Sequence, residues 1–305
     1  MQVTTAILRL LVFPGLLFAI PAAWFFLYVE RKTIARMQRR IGPPLLQPFY
    51  DFVKLLGKES PRYTGIESLM MKAWPALSVA VLLAALALIP IFPAKGGFSG
   101  DLILLITLLE LPSMFYMLAG FTSRSIYGKV GSMREASLSL SSNLLFLTAV
   151  MMIAVTSHTF QLSELAMPAA SPARWLGLAA IILCIPAKLR LNPFSTSSAE
   201  QEIYAGPLTE YSGSDLALWE LAHGLEWLAL SGFVVSMSFP RTGFRLVDAG
   251  IFAFLCIALV ILLATVAAAT ARFTIDRSVR FYWRWSVTLA VVFLVTAVVL
   301  RGVAS

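Results

Sequence analysis

Few residues of this chain can carry a proton, and several of those stand in apolar surroundings. Glu110 lies in the middle of an apolar run, two residues before Pro112. A carboxylate buried in a membrane is costly unless it is protonated, paired or facing water, so position alone makes Glu110 a functional candidate. Pro112 can also free a backbone carbonyl toward the same water-filled site. The structural alternative is a protonated Glu110 hydrogen-bonded to a neighbouring helix. Glu220, His223 and Glu226 recur at three-residue steps in another apolar run. At about 100° per residue they fan over roughly 120° of one helix face. Titratable groups one turn apart can pass a proton stepwise through intervening water. His suits such a row because small shifts move its pKa across neutrality. A paired polar seam between helices is the alternative, and no other His or Cys is placed to complete a metal site.

The composition says what must hold these groups. Of 305 residues, 59% are hydrophobic and 13% charged, about half the usual charged share of a soluble protein. Uncharged or nearly uncharged runs cover 10–29, 73–94, 102–123, 136–157, 165–187, 216–239, 249–271 and 284–300. The third carries Glu110, the fifth Pro172 and Arg174, and the sixth the Glu220–His223–Glu226 row. Eight spans of about 20 residues use over half the chain. The expectation is an all-α polytopic membrane protein, a single integral membrane domain over 1–305. The first run ends in the interface aromatics Trp24 and Tyr28 and lacks the basic start and cleavage site of a signal peptide. The two cysteines, Cys184 and Cys256, sit separately in apolar runs and form no disulfide framework or zinc spacing. Any iron–sulfur or nickel chemistry is therefore expected on another chain, with no cofactor held here.

The net charge is +8, and 18 of the 24 Lys and Arg residues fall in segments 30–72, 123–135, 188–211 and 272–284. The positive-inside rule then puts both termini outside and loops 30–72 and 188–211 in the cytoplasm of a cell (inner or plasma) membrane. The first loop opens with Glu30, Arg31, Lys32, Arg36, Arg39 and Arg40, a basic helical extension that Gly42, Pro43 and Pro44 should stop. Phe49, Phe52, Val53 and Leu56 follow at i, i+3, i+4, i+7, the pattern of an interfacial amphipathic helix. Two readings fit: anchoring to anionic lipid headgroups, or a docking collar for a partner subunit. Loop 188–211 is unusually acidic, with Glu200, Glu202 and Glu210 and Asp215 just beyond. That suits a cation-accepting funnel or a socket for a basic partner better than a topology signal. A solvated loop is the plain alternative.

These loops carry a family resemblance. AEQEIYAGPLTEYSG (Ala199–Gly213), with NPF at 192–194 before it, resembles the signature loop of the membrane subunit shared by respiratory complex I and the energy-converting [NiFe] hydrogenases. In complex I this is the heel subunit, ND-one-like. YVERK…RRIGP (Tyr28 to Pro43), followed by LLQPFYDFVKLLGKE, is similar to the family's second signature, and the resemblance spans the chain. Gly206-Pro207-Leu208 and Arg134-Glu135 look closer to the hydrogenase branch, which includes formate hydrogenlyase. The resemblance implies a non-catalytic coupling subunit. Its partners would be hydrogenase large and small subunits, an iron–sulfur subunit and antiporter-like membrane subunits, alongside membrane lipid and no nucleic acid. Nickel–iron and iron–sulfur clusters would lie in those partners. Glu200, Glu202, Glu210 and Tyr211 would face the peripheral arm, and Glu110, Glu220, His223 and Glu226 would line a proton or ion path. The chain departs from the family pattern at Ser195 and Ser198, usually acidic positions. Asn143 replaces a common carboxylate, and His223 stands where complex I has an acid. A quinone-site subunit of a complex I-like enzyme is the second reading, with its cavity between the first loop and the first and sixth spans. A stand-alone transporter is a third, and neither inverted repeats nor broken midplane helices speak for it.

Overall fold

The computed structural model describes residues 16–61, 65–90, 100–166, 171–239 and 244–304. Among these residues there are eleven α-helices and no strand. They are α1 (Leu16–Met37), α2 (Gln47–Leu56), α3 (Ile66–Leu88), α4 (Asp101–Thr122), α5 (Ile126–Thr156) and α6 (Leu162–Leu165). Then follow α7 (Pro172–Lys188), α8 (Glu200–Ile203), a 3₁₀ turn at Gly206–Leu208, α9 (Gly213–Ser238), α10 (Arg245–Ala269) and α11 (Ile275–Ala304). Five are long and apolar enough to cross a membrane: α3, α4, α5, α10 and α11 over Ile275–Val295. The other three expected spans coincide with α7, which has only 17 residues, and with α1 and α9, which carry the charged groups of the site. Both termini, and the span ends at 10–15, 91–94 and 167–170, lie outside the described residues.

Two boundaries differ from expectation for local reasons. The span read at 136–157 starts at Ile126, because Ser125 caps the helix by accepting Gly128 N–H. The helix then continues through Lys129, Arg134 and Glu135, so only Ser123–Ser125 connect α4 to α5. The basic extension of α1 stops at Met37, ahead of Gly42. Arg39 turns left-handed at φ +58°, and Arg40 N–H reaches back to Ala35 O at 2.8 Å.

The helices approach closely at small residues, as expected where lipid tails compete with apolar side chains for the same surfaces. A Cβ on Gly224 of α9 would meet Ala23 Cβ of α1 at 3.1 Å, and one on Gly177 of α7 would meet Ile153 of α5 at 2.7 Å. Buried Ala19, Ala23, Phe26 and Leu27 of α1 join Trp227, Phe233, Leu82 and Phe146 in a single apolar core. The connections 38–46, 57–61, 123–125, 189–212 and 270–274 gather at one end of the bundle. Ser60 there shares a hydrogen bond with Ser214, Arg124 N–H reaches Glu210, and Phe273 N–H reaches Pro193 O.

One helix falls short. At 1.5 Å per residue, 17 residues give α7 a length of about 25 Å, less than the roughly 30 Å hydrocarbon core. Chain beyond Lys188 therefore leaves the helix early, and Leu189, Leu191, Phe194, Thr196 and Ser197 are all buried. Buried non-helical backbone persists only where protein or a water-filled cavity satisfies its polar groups. This chain provides both.

Candidate functional site

Glu220, His223 and Glu226 of α9 line one cavity of about 370 Å³. Glu30 and Arg31 of α1, Pro112 and Tyr116 of α4, and Arg190 and Ser198 of the loop after α7 close it. At about 30 Å³ per water, such a space holds several. Arg31 joins its outer edge: Nη2 lies 3.2 Å from Glu220 Oε2, and Nη1 lies 2.8 Å from Asp51 Oδ2 on α2. Gln47 Nε2 donates to the other Asp51 oxygen at 2.8 Å, fixing the carboxylate. Deeper in, His223 spans two acids. Its Nε2 is 4.0 Å from Glu30 Oε2 and its Nδ1 3.9 Å from Glu226 Oε2. These separations exceed a direct hydrogen bond and suit an imidazole exchanging protons through water or by a small ring rotation.

Arg190 holds the floor. Its Nη2 lies 2.5 Å from Glu226 Oε2, its Nη1 3.7 Å from Glu135 Oε1, and its guanidinium 4.4 Å from the centre of the Tyr116 ring. Glu226 and Glu135 are almost wholly buried, so one cation is shared between two carboxylates and can balance the charge of only one. Arg190 itself sits at φ +56°, two residues past the end of α7. Around the cavity, five carboxylates (Glu30, Asp51, Glu135, Glu220, Glu226) face two guanidiniums, so a proton or small cation has an electrostatic reason to enter.

A second polar node lies on the other side of Arg190's segment. Lys188 Nζ pairs with Glu110, donates to Asn143 Oδ1 at 2.9 Å, and lies 4.2 Å from the centre of the Phe146 ring. Glu110 thus has the amino group of Lys188 from α7 as its partner. Asn143 completes that lysine's coordination. The two nodes meet through the chain itself, since Lys188 and Arg190 flank Leu189.

The signature loop is wedged above them by close contacts at glycine. Gly206 has φ +57°, and a Cβ there would lie 2.0 Å from Ser197 O. Pro207 seats in a notch of α4 and α5, where a Cβ on Gly120 would meet Pro207 Cβ at 2.9 Å and one on Gly131 would meet Pro207 Cδ at 2.6 Å. Arg134 of α5 ties the loop down, donating to Glu202 at 2.6 Å and to Thr196 O at 3.4 Å. Its hydrogen bond to Glu202, and then the guanidinium charge, hold that carboxyl below its ordinary pKa. Glu210 accepts Arg124 N–H at 2.9 Å, and the buried Tyr211 ring meets Trp219 edge-on at 5.9 Å. Glu200 opens α8, and its side chain lies outside the described set.

The basic loop divides in two. Glu30 is buried and Arg31 paired, so both belong to the cavity. Lys32 donates to Pro43 O at 3.2 Å, while Arg36, Arg39 and Arg40 are exposed. The expected amphipathic helix is α2. Trp24 of α1 meets Phe49 at 5.1 Å and Phe52 at 5.5 Å, whereas Val53 and Leu56 stay exposed. Between α1, α2 and α9 lies a smaller cavity of about 260 Å³, lined by Trp24, Arg31, Asp51, Phe52 and Glu220 among others.

Sequence reasoning misses Lys188, Arg190, Glu135 and Asp51 as members of the site. Lys188 and Arg190 count there only as loop charges of the positive side. The signal that could find them is the KLR triplet closing an apolar run, which puts two cations at the end of a helix.

Comparison with known proteins supplies the family. Residues 9–298 match the family model described as NADH dehydrogenase. The chain is 34% identical to hydrogenase-4 component C of Escherichia coli (strain K12) over 224 residues, 70% of each protein. It is 26% identical to NADH-ubiquinone oxidoreductase chain 1 of Mycosarcoma maydis over 294 residues, 89% of each protein. Among solved structures, a chain of the membrane-bound sulfane sulfur reductase, an archaeal respiratory membrane complex, superposes with TM-score 0.86 at 26% identity, covering 96% of this chain and 99% of that one. The chain belongs to the NADH dehydrogenase subunit 1 family, whose members are membrane subunits of hydrogenase-type and complex I-type assemblies.

Proposed function

We propose that this chain is the anchoring and coupling subunit of a hydrogenase-type redox complex. It carries no redox centre and links electron transfer in a peripheral arm to translocation of a proton or sodium ion. The observation that carries the reading is the buried acid–base cluster beneath the signature loop, in which Arg190 on the loop's own segment lies between Glu226 and Glu135. Loops 30–72 and 188–211 face the cytoplasm in this reading. The acids Glu200, Glu202 and Glu210, with Tyr211, meet the hydrogenase and iron–sulfur subunits, and Arg36, Arg39 and Arg40 add a basic collar. A redox event there displaces the loop and pulls Arg190 away from Glu226. The bared carboxylate takes a proton from the His223, Glu30 and Glu220 side. The matching displacement of Lys188 loosens Glu110 and hands the charge change to the antiporter-like subunits. The whole chain acts as one membrane-embedded domain.

Similarity to hydrogenase-4 component C supports the hydrogenase branch. The test is a Glu226→Gln variant of the assembled complex in liposomes. Hydrogen production should persist while ions moved per hydrogen collapse. An unchanged ratio removes the coupling reading.

One observation favours a second reading, a quinone-site subunit of a complex I-like enzyme. The cavity between α1, α2 and α9 lies where that reading expects one. Inhibition of the assembled complex by quinone-site inhibitors, abolished by Phe52→Ala, supports it over the first.

A further inference from the structure

The exposed side of α11 has a charge pattern that the coupling role leaves unused. Ser278, Tyr282, Ser286 and Leu289 form the buried face, with the Tyr282 hydroxyl donating to Leu183 O at 3.1 Å. The opposite side presents Arg280, Arg284, Val287, Val291 and Val295 at i, i+4, i+7, i+11 and i+15, all exposed and on one stripe. The stripe is amphipathic along its length rather than around its circumference. Two guanidiniums stand at the loop end, and aliphatic side chains run from them toward the membrane centre. From Arg284 to Val295 the helix rises about 16 Å, close to one leaflet's half of a roughly 30 Å hydrocarbon core.

Arg280, Phe281, Arg284, Trp285 and Thr288 form one open helix face at the head of this stripe. Its aromatic wall is fixed from within. Phe281 packs on Phe194 at 5.4 Å, and Trp285 leans on Phe281 at 6.3 Å. Arg280 Nε donates to Asp276 O at 3.2 Å. Among the described residues, neither Arg280 nor Arg284 has a carboxylate within ion-pair distance, unlike Arg31, Arg124, Arg134 and Arg190. The pair therefore keeps its full charge for an outside anion, and the geometry is that of a headgroup site with a track for one tail.

We propose that Arg280 and Arg284 bind the phosphate of an anionic phospholipid whose acyl chain lies along Val287, Val291 and Val295, with Trp285 at the glycerol level. Guanidinium forks match phosphate oxygens in geometry as well as charge, and indole rings favour the interfacial depth. A partner helix would meet two unpaired cations at its membrane edge and would need its own acids there.

The test uses the assembled complex, purified in mild detergent as parent, Arg280→Gln/Arg284→Gln and Arg280→Lys/Arg284→Lys. Each is exchanged into nanodiscs of phosphatidylcholine doped with phosphatidylglycerol, and retained lipid is counted by mass spectrometry after detergent washing. Loss of the pair should lower retained phosphatidylglycerol by roughly thirty-fold, from the usual contribution of each basic residue at an anionic surface. Phosphatidylcholine should be unaffected, and the lysine variant, which keeps the charge but not the fork, should fall between parent and glutamine variant. Equal retention in parent and glutamine variant overturns the proposal. So does a photo-crosslinker at position 287 that captures a partner polypeptide instead of phospholipid.

Discussion

Glu110 and Lys188 form the pair whose energetics are easiest to isolate. Lys188 is nearly dry and Glu110 only partly exposed, with side-chain exposures of 4% and 21%. Removing one partner of a buried ion pair leaves an uncompensated charge and costs about 3–5 kcal/mol, whereas replacing both by neutral groups of similar volume is close to neutral. Lys188→Met leaves Glu110 without its ammonium, but Glu110 can protonate or draw water through its exposed edge. Glu110→Gln leaves a buried ammonium with only Asn143 and the face of Phe146, the latter offering about 2 kcal/mol at best when dry. Both single variants should therefore lower the temperature at which the detergent-solubilised complex dissociates. The double variant, Glu110→Gln/Lys188→Met, should recover most of the loss. The interaction free energy of that cycle should be about 3 kcal/mol or more in favour of the pair. The assay is thermal dissociation followed by native electrophoresis, with hydrogen turnover in parallel. If the double variant is as unstable as the sum of the singles, the two side chains act independently and the pair is not an ion pair in the membrane.

Other outcomes follow from the same geometry. Arg190→Gln strands Glu226 and Glu135 together and should cost more than Glu226→Gln, since it bares two carboxylates rather than removing one; the same dissociation assay ranks them. Gly131→Val should stop the signature loop from seating, because even a Cβ there would lie 2.9 Å from both Gly206 and Ser197 backbone. Native gels should then show little assembled complex. Glu202 is held below its ordinary carboxylate value of 4.5 by Arg134. Its stabilisation of the loop is therefore complete above that value and lost only as pH falls through the depressed one. Proteolytic cutting within 189–212 should be flat from about pH 6 to 8 and rise in acid; a rise near neutrality contradicts this. Arg124→Ala, at an exposed pair with Glu67, should change stability by under about 1 kcal/mol in the same assay.

Much of the site is legible in the sequence because periodicity reports faces. The spacing of Glu220, His223 and Glu226 puts them on one helix face, and they do line one cavity. Glu30 reads as part of a basic collar. Yet it continues the stripe Ala19, Ala23, Phe26 and Leu27 that α1 buries, a signal available in the sequence and masked by its basic neighbours. The partners of the buried acids are not legible. Glu110 and Lys188 are 78 residues apart, and Arg190 and Glu226 are 36 apart. Neither pairing has a local pattern, because each joins elements far apart in the chain. The early start of α5 escapes a reading that takes charge as a span boundary. A helix continues through charged residues when a cap such as Ser125 starts it and a protein surface receives its polar face.

The central claim is that this chain couples a hydrogenase to ion transport, and metal and flavin content of the gently purified complex tests it most directly. Nickel with iron and no flavin, co-purifying with this chain, is the result the account predicts. Flavin with bound quinone and no nickel would contradict it and move the chain to the quinone-reducing branch of its family.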